Sequence, residues 1–287
     1  MIEEMRSDYH LTELCDAMEI SSSGYYKWRA SAQSARSQSN EVLLREINKI
    51  HQDQHLRNYG SPRMTVELNN RGYPCSENRV ARLMASEGIS AHHTRKWKPR
   101  TTIQNPGSRA SPNLLAKMPE LTAPGQVWVS DITYVFTRQQ THYLAVIMDL
   151  FTREILGWEL DSHMEASLVQ KALQQAETKQ RAHPGRVFYS DRGSQYTSDL
   201  VREHIENARY RQSMSALGYC YDNAACESFF ATLKKECFPT GQTFDTPASA
   251  RREIFRYIET FYNSRRIHSS LGNLSPQAFR QLSLQSN

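Results

Sequence analysis

The chain of 287 residues lacks the cysteine pattern of a disulfide framework or a zinc knuckle. Its cysteines are Cys15, Cys75, Cys220, Cys226 and Cys237, an odd number without a CxxC pair, and no cysteine pair stands at zinc-site spacing from His92 and His93. They read as reduced thiols. Long apolar runs are missing as well. The longest, YLAVIM, is far too short to span a membrane, and MIEEMRSDYH has neither the basic nor the apolar region of a secretory signal. These absences predict a soluble cytoplasmic chain with no membrane partner. Acidic residues are absent from Gly88 to Pro119, a stretch that holds Arg95, Lys96, Lys98, Arg100, Arg109 and Lys117. A net charge of +5 points only weakly to a polyanion, and its concentration here points more firmly.

What is present suffices for real cores, with 39% hydrophobic and 10% aromatic residues, and the length suggests about two or three units. Residues 1–40 read as a helix-turn-helix-like segment: Leu11, Leu14, Cys15 and Met18 at helical spacing, a break at Ser21 to Gly24, then a helix with Tyr25, Tyr26, Lys27, Trp28 and Arg29. A plain helical hairpin is the alternative. The polar stretch 31–40 reads as a linker or a solvated helix start. Residues 41–93 form a second helical module, either DNA-binding or a structural bundle, with Ser76 placed to cap the helix bearing Val80, Leu83 and Met84. Residues 94–124, rich in Pro, Gly, Ser and basic charge, are an extended linker able to track phosphates, or simply a solvated connector.

From Gly125 the pattern turns to strands. QVWVSDITYVF, THYLAVIMDLF and REILGWEL follow one another at short intervals and predict an antiparallel meander. Helical and strand patterns then alternate through EASLVQKALQQAETK, RVFYSD, TSDLVREHIENA, RQSMSA and NAACESFFATLKKE. The expected fold class is α/β, a mixed sheet flanked by helices, preceded by small all-α modules. The core spans 125–240 and a helical extension 241–287.

Three acids stand out. Asp131 lies inside the first strand among apolar neighbours, where a charged side chain is rare unless paired or bound to a cation. Asp191 ends the fourth strand, before a glycine-containing loop, and Glu227 lies one turn into a helix. Each has an ordinary explanation: an internal hydrogen-bond acceptor, a cap acid, a surface residue. Converging at one sheet edge they form a different object. Two carboxylates about 4 Å apart repel by roughly 4 kcal/mol at an effective dielectric near 20, so the ionised cluster needs cations. Hard oxygen ligands suit Mg²⁺ or Mn²⁺, and two ions about 3.5–4 Å apart serve in-line attack on a phosphodiester. Asp149 is a fourth candidate and ranks as structural.

WVSDITY, YSDRGSQYTS and SALGYCYDNAACESFFATLKKE resemble the three blocks of the DDE transposase and retroviral-integrase catalytic core. Thirty-five residues separate Asp191 from Glu227, the family's DD(35)E interval, and Lys234 follows Glu227 by seven, where the family also places a basic residue. More narrowly, ISSSGYYKWR, YGSPRMTVEL and the closing FYNSRRIHSSLGNLSPQAF resemble the OrfB product of bacterial insertion sequences of the IS-three family. The resemblance implies an RNase H-like core that cuts element ends and joins the freed 3′-OH to target DNA, with no covalent protein–DNA intermediate. It implies that Asp131, Asp191 and Glu227 bind two divalent ions and that Lys234 steadies a DNA phosphate. Gln195, Tyr196 and Asn223 are candidate DNA contacts or supports of the acids. Arg265, Arg266 and His268 are candidate phosphate contacts, or they cap and solvate a terminal helix. The implied partners are the element's terminal repeats, target DNA, further copies of the chain on that DNA, and an upstream OrfA product. No zipper-like heptad run is visible, so recognition and multimerisation by this chain alone stay open, as do a nuclease without strand transfer and an inert DNA-binding regulator.

Overall fold

The computed structural model describes residues 2–30, 35–91, 111–115, 118–181, 183–215, 224–238 and 243–285. The chain divides into two compact units, Met1–Asp53 with Tyr59–Ser90, and Gln54–Asn58 with Ala91–Asn287.

The first unit is helical: α1 (Ile2–Met5), α2 (Leu11–Ala17), α3 (Ser22–Ala30), α4 (Ala35–Gln52), α5 (Ser61–Asn70) and α6 (Glu77–Ser86). Ser21 opens α3 as the sequence suggests, its Oγ accepting from the Gly24 amide at 3.0 Å. The Tyr25 hydroxyl of α3 donates to Glu3 of α1. Leu43, Ile47 and Ile50 of α4, Met64 and Leu68 of α5, and Val80 and Met84 of α6 are the buried apolar positions. Helix α4 begins earlier than its apolar pattern, at Ala35, so part of the polar stretch 31–40 is a solvated helix start rather than a linker. Ser76 does occupy the N-cap position of α6 but makes no side-chain cap bond. Arg79 of α6 is engaged within the unit, donating to Asn40 and Ser39 at 2.9 Å each.

The second unit holds β1 (Val127–Thr137), β2 (Thr141–Asp149), β3 (Ile155–Asp161), α7 (Ala166–Lys179), β4 (Val187–Ser190), α8 (Ser194–Thr197), α9 (Asp199–Asn207), β5 (Arg211–Met214), α10 (Ala224–Glu236), β6 (Thr243–Phe244), α11 (Pro247–Phe255) and α12 (Pro276–Gln285). After α11 the helix continues with π geometry over Arg256–Tyr262. The strand order is β3-β2-β1-β4-β5. The first three strands form the antiparallel meander, whereas β4 and β5 run parallel to β1. The sheet is therefore mixed, as expected. The two-residue β6, which carries no readable alternation, adds to the far end of β1 beside Phe136 and Thr137.

One sheet face is sealed by α7. Trp128, Ala145, Ile147 and Phe188 from the strands pack there with Leu168, Val169, Ala172 and Leu173 of the helix. Contact is closest at Gly157 of β3, where an added Cβ would lie 2.0 Å from the Ala172 carbonyl oxygen and 2.8 Å from the Ala176 amide. Only glycine permits that approach. Helix α10 packs against β1. Partners across a β ladder share a face. Ile132 is the partner of Ala145 and so looks toward α7; Asp131, the partner of Val146, looks the other way.

Among the described residues, no helix is long and apolar enough to cross a membrane.

Candidate active site

The mixed sheet positions the first two acids. In the β1–β4 register, Val129 is the partner of Tyr189, and two more places along bring Asp131 beside Asp191, which directly follows β4. Adjacent strands run about 4.8 Å apart, so the two carboxylates belong to one locality. Asp131 is half-buried, and its Oδ1 accepts from the Ile132 amide at 2.8 Å. Asp191 Oδ1 accepts from the Gly193 amide at 2.9 Å. An added Cβ on Gly193 would stand 3.0 Å from that oxygen and 2.9 Å from Gln195 Oε1, so glycine lets the loop close on the carboxylate. Burial raises the Asp191 pKa, and among the described residues its counterweight is that one amide. Such an acid is under-compensated, and a cation is the natural complement.

Tyr196 lies beneath the pair. It is 1% exposed, its hydroxyl sits 2.9 Å from Ser130 Oγ, and burial raises its pKa well above the usual phenol range, with Asp131 and Asp191 adding to the rise. A tyrosine so enclosed cannot touch DNA. Its candidacy as a DNA contact is corrected: the apolar ring is consumed by the α7-side core, and what reaches the acids is a fixed neutral hydroxyl. Gln195 is half-buried and donates to the Met164 carbonyl at 2.9 Å, which ties α8 to the segment before α7.

Helix α10 brings the third acid. Cys226, Phe229, Phe230 and Leu233 are buried, whereas Glu227 in the first turn is exposed. Burial pushes the Cys226 thiol well up, Asp131 and Glu227 push it further, and Arg153 opposes them. This thiol therefore senses both acids. Among the described residues, no group of three or more His, Cys, Asp or Glu side chains is gathered tightly enough to hold a metal ion. Asp131 and Asp191 share one locality, while Glu227 stands on the neighbouring helix at its exposed edge. Lys234, two turns further on, is half-buried; burial lowers its pKa and the nearby Asp131 partly offsets this.

The remaining candidates separate cleanly. Arg265 is exposed. Arg266 is 4% exposed, donating to both Glu236 oxygens at 2.8 Å, and Tyr257 donates to the same carboxylate at 2.8 Å. Burial alone would lower the Arg266 pKa, but Glu236 outweighs it and holds the guanidinium firmly charged. Arg266 as a phosphate contact is thus corrected: its donors are spent inside the fold. Sequence reasoning missed Glu236, since nothing local links it to an arginine thirty positions away. Asp149 behaves as ranked. It is the register partner of Trp128, on the α7 side, and its oxygens accept from Gly125 at 2.6 Å and from the Thr152 amide and hydroxyl at 2.8 and 2.9 Å. Arg95, Lys96, Lys98, Arg100 and Asn223 lie outside the described residues.

The integrase core domain family matches residues 122–220 and again, in a second family of the same description, residues 227–284; the HTH-like domain family matches residues 38–97. The chain is 39% identical over 241 residues to the transposase for insertion sequence element IS904 of Lactococcus lactis subsp. lactis, covering 84% of this chain and 94% of that protein. It is 41% identical over 268 residues to the insertion element IS600 uncharacterized 31 kDa protein of Shigella sonnei, covering 93% and 97%. It is 35% identical over 289 residues to transposase InsF for insertion sequence IS3A of Escherichia coli, covering 99% and 98%. With such likeness sustained along almost the whole chain, and with the two matched core segments taking in Asp131, Asp191 and Glu227, the chain belongs to the IS3 family of insertion-sequence transposases.

Proposed function

We propose that the chain is a DNA transposase that cleaves the ends of its insertion sequence and joins the 3′-OH to target DNA. The observation that carries the reading is the β1–β4 register, which sets Asp131 beside Asp191 on the sheet, with α10 and its Glu227 packed against β1. The donor set is all carboxylate oxygen, which suits Mg²⁺ or Mn²⁺. Asp131, Asp191 and Glu227 would hold such ions, which would supply the Lewis acidity that activates an attacking hydroxyl and steadies a leaving oxygen.

The chain's own groups do the rest. The Gly193 amide fixes the Asp191 carboxylate, and the Ile132 amide holds that of Asp131. Tyr196 stays protonated, its hydroxyl held 2.9 Å from Ser130 Oγ. The attack falls to water or a DNA 3′-OH, and the hydroxyls of Ser130, Ser190 and Tyr196 are buried. Lys234 supplies a cation on the same helix as Glu227 for a DNA phosphate. The helical modules 1–40 and 41–93, the basic linker 94–124 and the exposed Arg265 extend the grip on terminal repeats and target DNA. Pairing of two element ends calls for a homo-oligomer assembled on DNA in the nucleoid, with an upstream OrfA product as a further partner.

The test incubates the chain with a labelled duplex ending in the element's terminal repeat and a supercoiled target, in Mn²⁺ and in EDTA, beside Asp131→Asn, Asp191→Asn and Glu227→Gln. Metal-dependent joined product, absent from each variant while DNA binding persists, is the expected result. Any variant with wild-type joining removes that residue from the site. Cutting without joining replaces the transposase by a nuclease. Binding without reaction, unchanged when the upstream frame is fused, leaves a DNA-binding regulator. Thermal stabilisation by Mg²⁺ reads ion binding apart from activity: an ion at 100 times its Kd adds about 2.7 kcal/mol to the wild type and much less to Asp191→Asn.

A further inference from the structure

Asp191 stands one residue beyond β4, and the loop that carries it is tied to the end of the neighbouring strand. Strands β4 and β5 run parallel with Ser190 the partner of Met214, so Asp191 and Ser215, the residues that follow, continue side by side. The Ser215 amide donates to the Ser190 carbonyl at 3.1 Å. The Ser215 carbonyl accepts from Arg192 Nε at 2.7 Å, the short end of the range for such bonds. Ser215 thus holds the chain on both sides of Asp191, through the carbonyl before it and the side chain after it.

The anchor is itself fixed. Ser213 is fully buried, and its hydroxyl accepts from the Leu114 amide at 2.9 Å. The Gln212 side chain accepts from the Ser111 hydroxyl and donates to the Tyr196 carbonyl, each at 2.9 Å. The short loop from Asp191 to Tyr196 is therefore closed against β5 twice, by Arg192 at its start and by Gln212 at its end.

Arg192 is half-buried, and among the described residues the Ser215 carbonyl is its one hydrogen-bond partner and no acid pairs with it. The bond comes from Nε, the donor nearest the backbone. What the fold uses is a donor at fixed reach rather than a charge.

We propose that Arg192 is a positioning residue of the active site, whose bond to Ser215 fixes the loop so that the Asp191 carboxylate meets a divalent ion in one orientation. This rests on the transposase reading above, in which Asp191 is an ion ligand. Groups that orient a ligand without touching the ion change its affinity by about 10- to 100-fold when removed.

The experiment compares the full-length wild type with Arg192→Met, Arg192→Gln, Arg192→Lys and Asp191→Asn. Glutamine places a neutral N–H donor where Arg192 has Nε, methionine places none, and lysine keeps the charge but carries it further out. Three quantities are measured: the Mn²⁺ affinity without DNA, from the rise in melting temperature; the salt dependence of binding to the terminal-repeat duplex in EDTA; and strand joining across a Mn²⁺ series. Arg192→Met should bind Mn²⁺ about 10- to 100-fold more weakly, and its joining should return as Mn²⁺ is raised. Its salt slope should match the wild type. Arg192→Gln should recover most of the ion affinity and Arg192→Lys only part.

Wild-type Mn²⁺ affinity in Arg192→Met overturns the proposal. So does a glutamine variant as weak as the methionine one, since the donor then does not matter. A salt slope shallower by about 0.9 in the methionine and glutamine variants, restored by lysine, makes Arg192 a phosphate contact instead. If Arg192→Met shows no melting transition, glutamine against lysine decides on the same terms: the neutral donor must bind the ion more tightly. A wild type that binds no Mn²⁺ and joins no DNA fails the transposase reading and the proposal with it. If Asp191→Asn loses the ion while Arg192→Met keeps it, the proposal fails alone.

Discussion

The buried pair of Glu236 and Arg266 permits a quantitative test. Their side chains are 2% and 5% exposed, and the Glu236 carboxylate accepts from Arg266 Nε, Arg266 Nη2 and the Tyr257 hydroxyl, each at 2.8 Å. Arg266→Met keeps the aliphatic bulk and removes two of the three donors. The remaining carboxylate is then a buried charge held by one phenol. Removing one partner of a buried ion pair costs about 3–5 kcal/mol, mostly through desolvation of the charge left behind. For a unit of this size, about 2–4 °C of melting temperature corresponds to each kcal/mol, so a fall of roughly 6–20 °C is expected. Scanning calorimetry and urea unfolding followed by tryptophan fluorescence would measure it. Adding Glu236→Gln should return part of the loss, since the uncompensated charge disappears. Arg138→Met serves as the comparison: its partner is Asp245 and their side chains are 78% and 74% exposed, so removal should have almost no effect. An Arg266→Met protein within 1 kcal/mol of wild type, yet with a shallower salt slope on DNA, would refute the reasoning and return Arg266 to the DNA surface.

Two further outcomes follow from other parts of the second unit. Burial raises the pKa of Glu154, with Arg280 and Gln277 opposing. A carboxyl whose folded pKa exceeds its unfolded value contributes stability below the unfolded value, about 4.3, and loses it as pH rises through the folded one. Glu154→Gln should therefore remove a decline in stability that the wild type shows as pH climbs out of the range of ordinary carboxylates; parallel pH–stability curves would contradict the burial argument. Gly157→Ala sets a Cβ 2.0 Å from the Ala172 carbonyl oxygen, so α7 must move off β3. A destabilisation of about 1–3 kcal/mol or more is expected by urea unfolding, and a neutral result would mean the helix yields freely.

The meander was legible because QVWVSDITYVF and THYLAVIMDLF carry β-rich runs with only the four residues TRQQ between them. Asp131 was legible as an outlier because an aspartate amid Val129, Ile132 and Val135 contradicts its surroundings. Burial of polar residues was not. Tyr196 and Arg266 stand in segments with many polar neighbours, and only tertiary packing decides that the first lies under the sheet and the second inside a carboxylate pair. The two residues of β6 are too few to alternate, and their pairing depends on where β1 ends.

That short strand and the buried pair share a consequence. Glu236 closes α10 and is clamped by Arg266 and Tyr257, and soon afterwards the chain is stitched to the end of β1 through Thr243 and Phe244. Helix α10 is thus anchored at its C-terminal end, while Cys226 and Phe229, buried in its first two turns, hold the other. Glu227 lies nine residues from Glu236, about 13 Å along the axis at 1.5 Å per residue. Its carboxylate rides on a rod fixed at both ends, so its distance from the two aspartates follows the packing of α10 on β1.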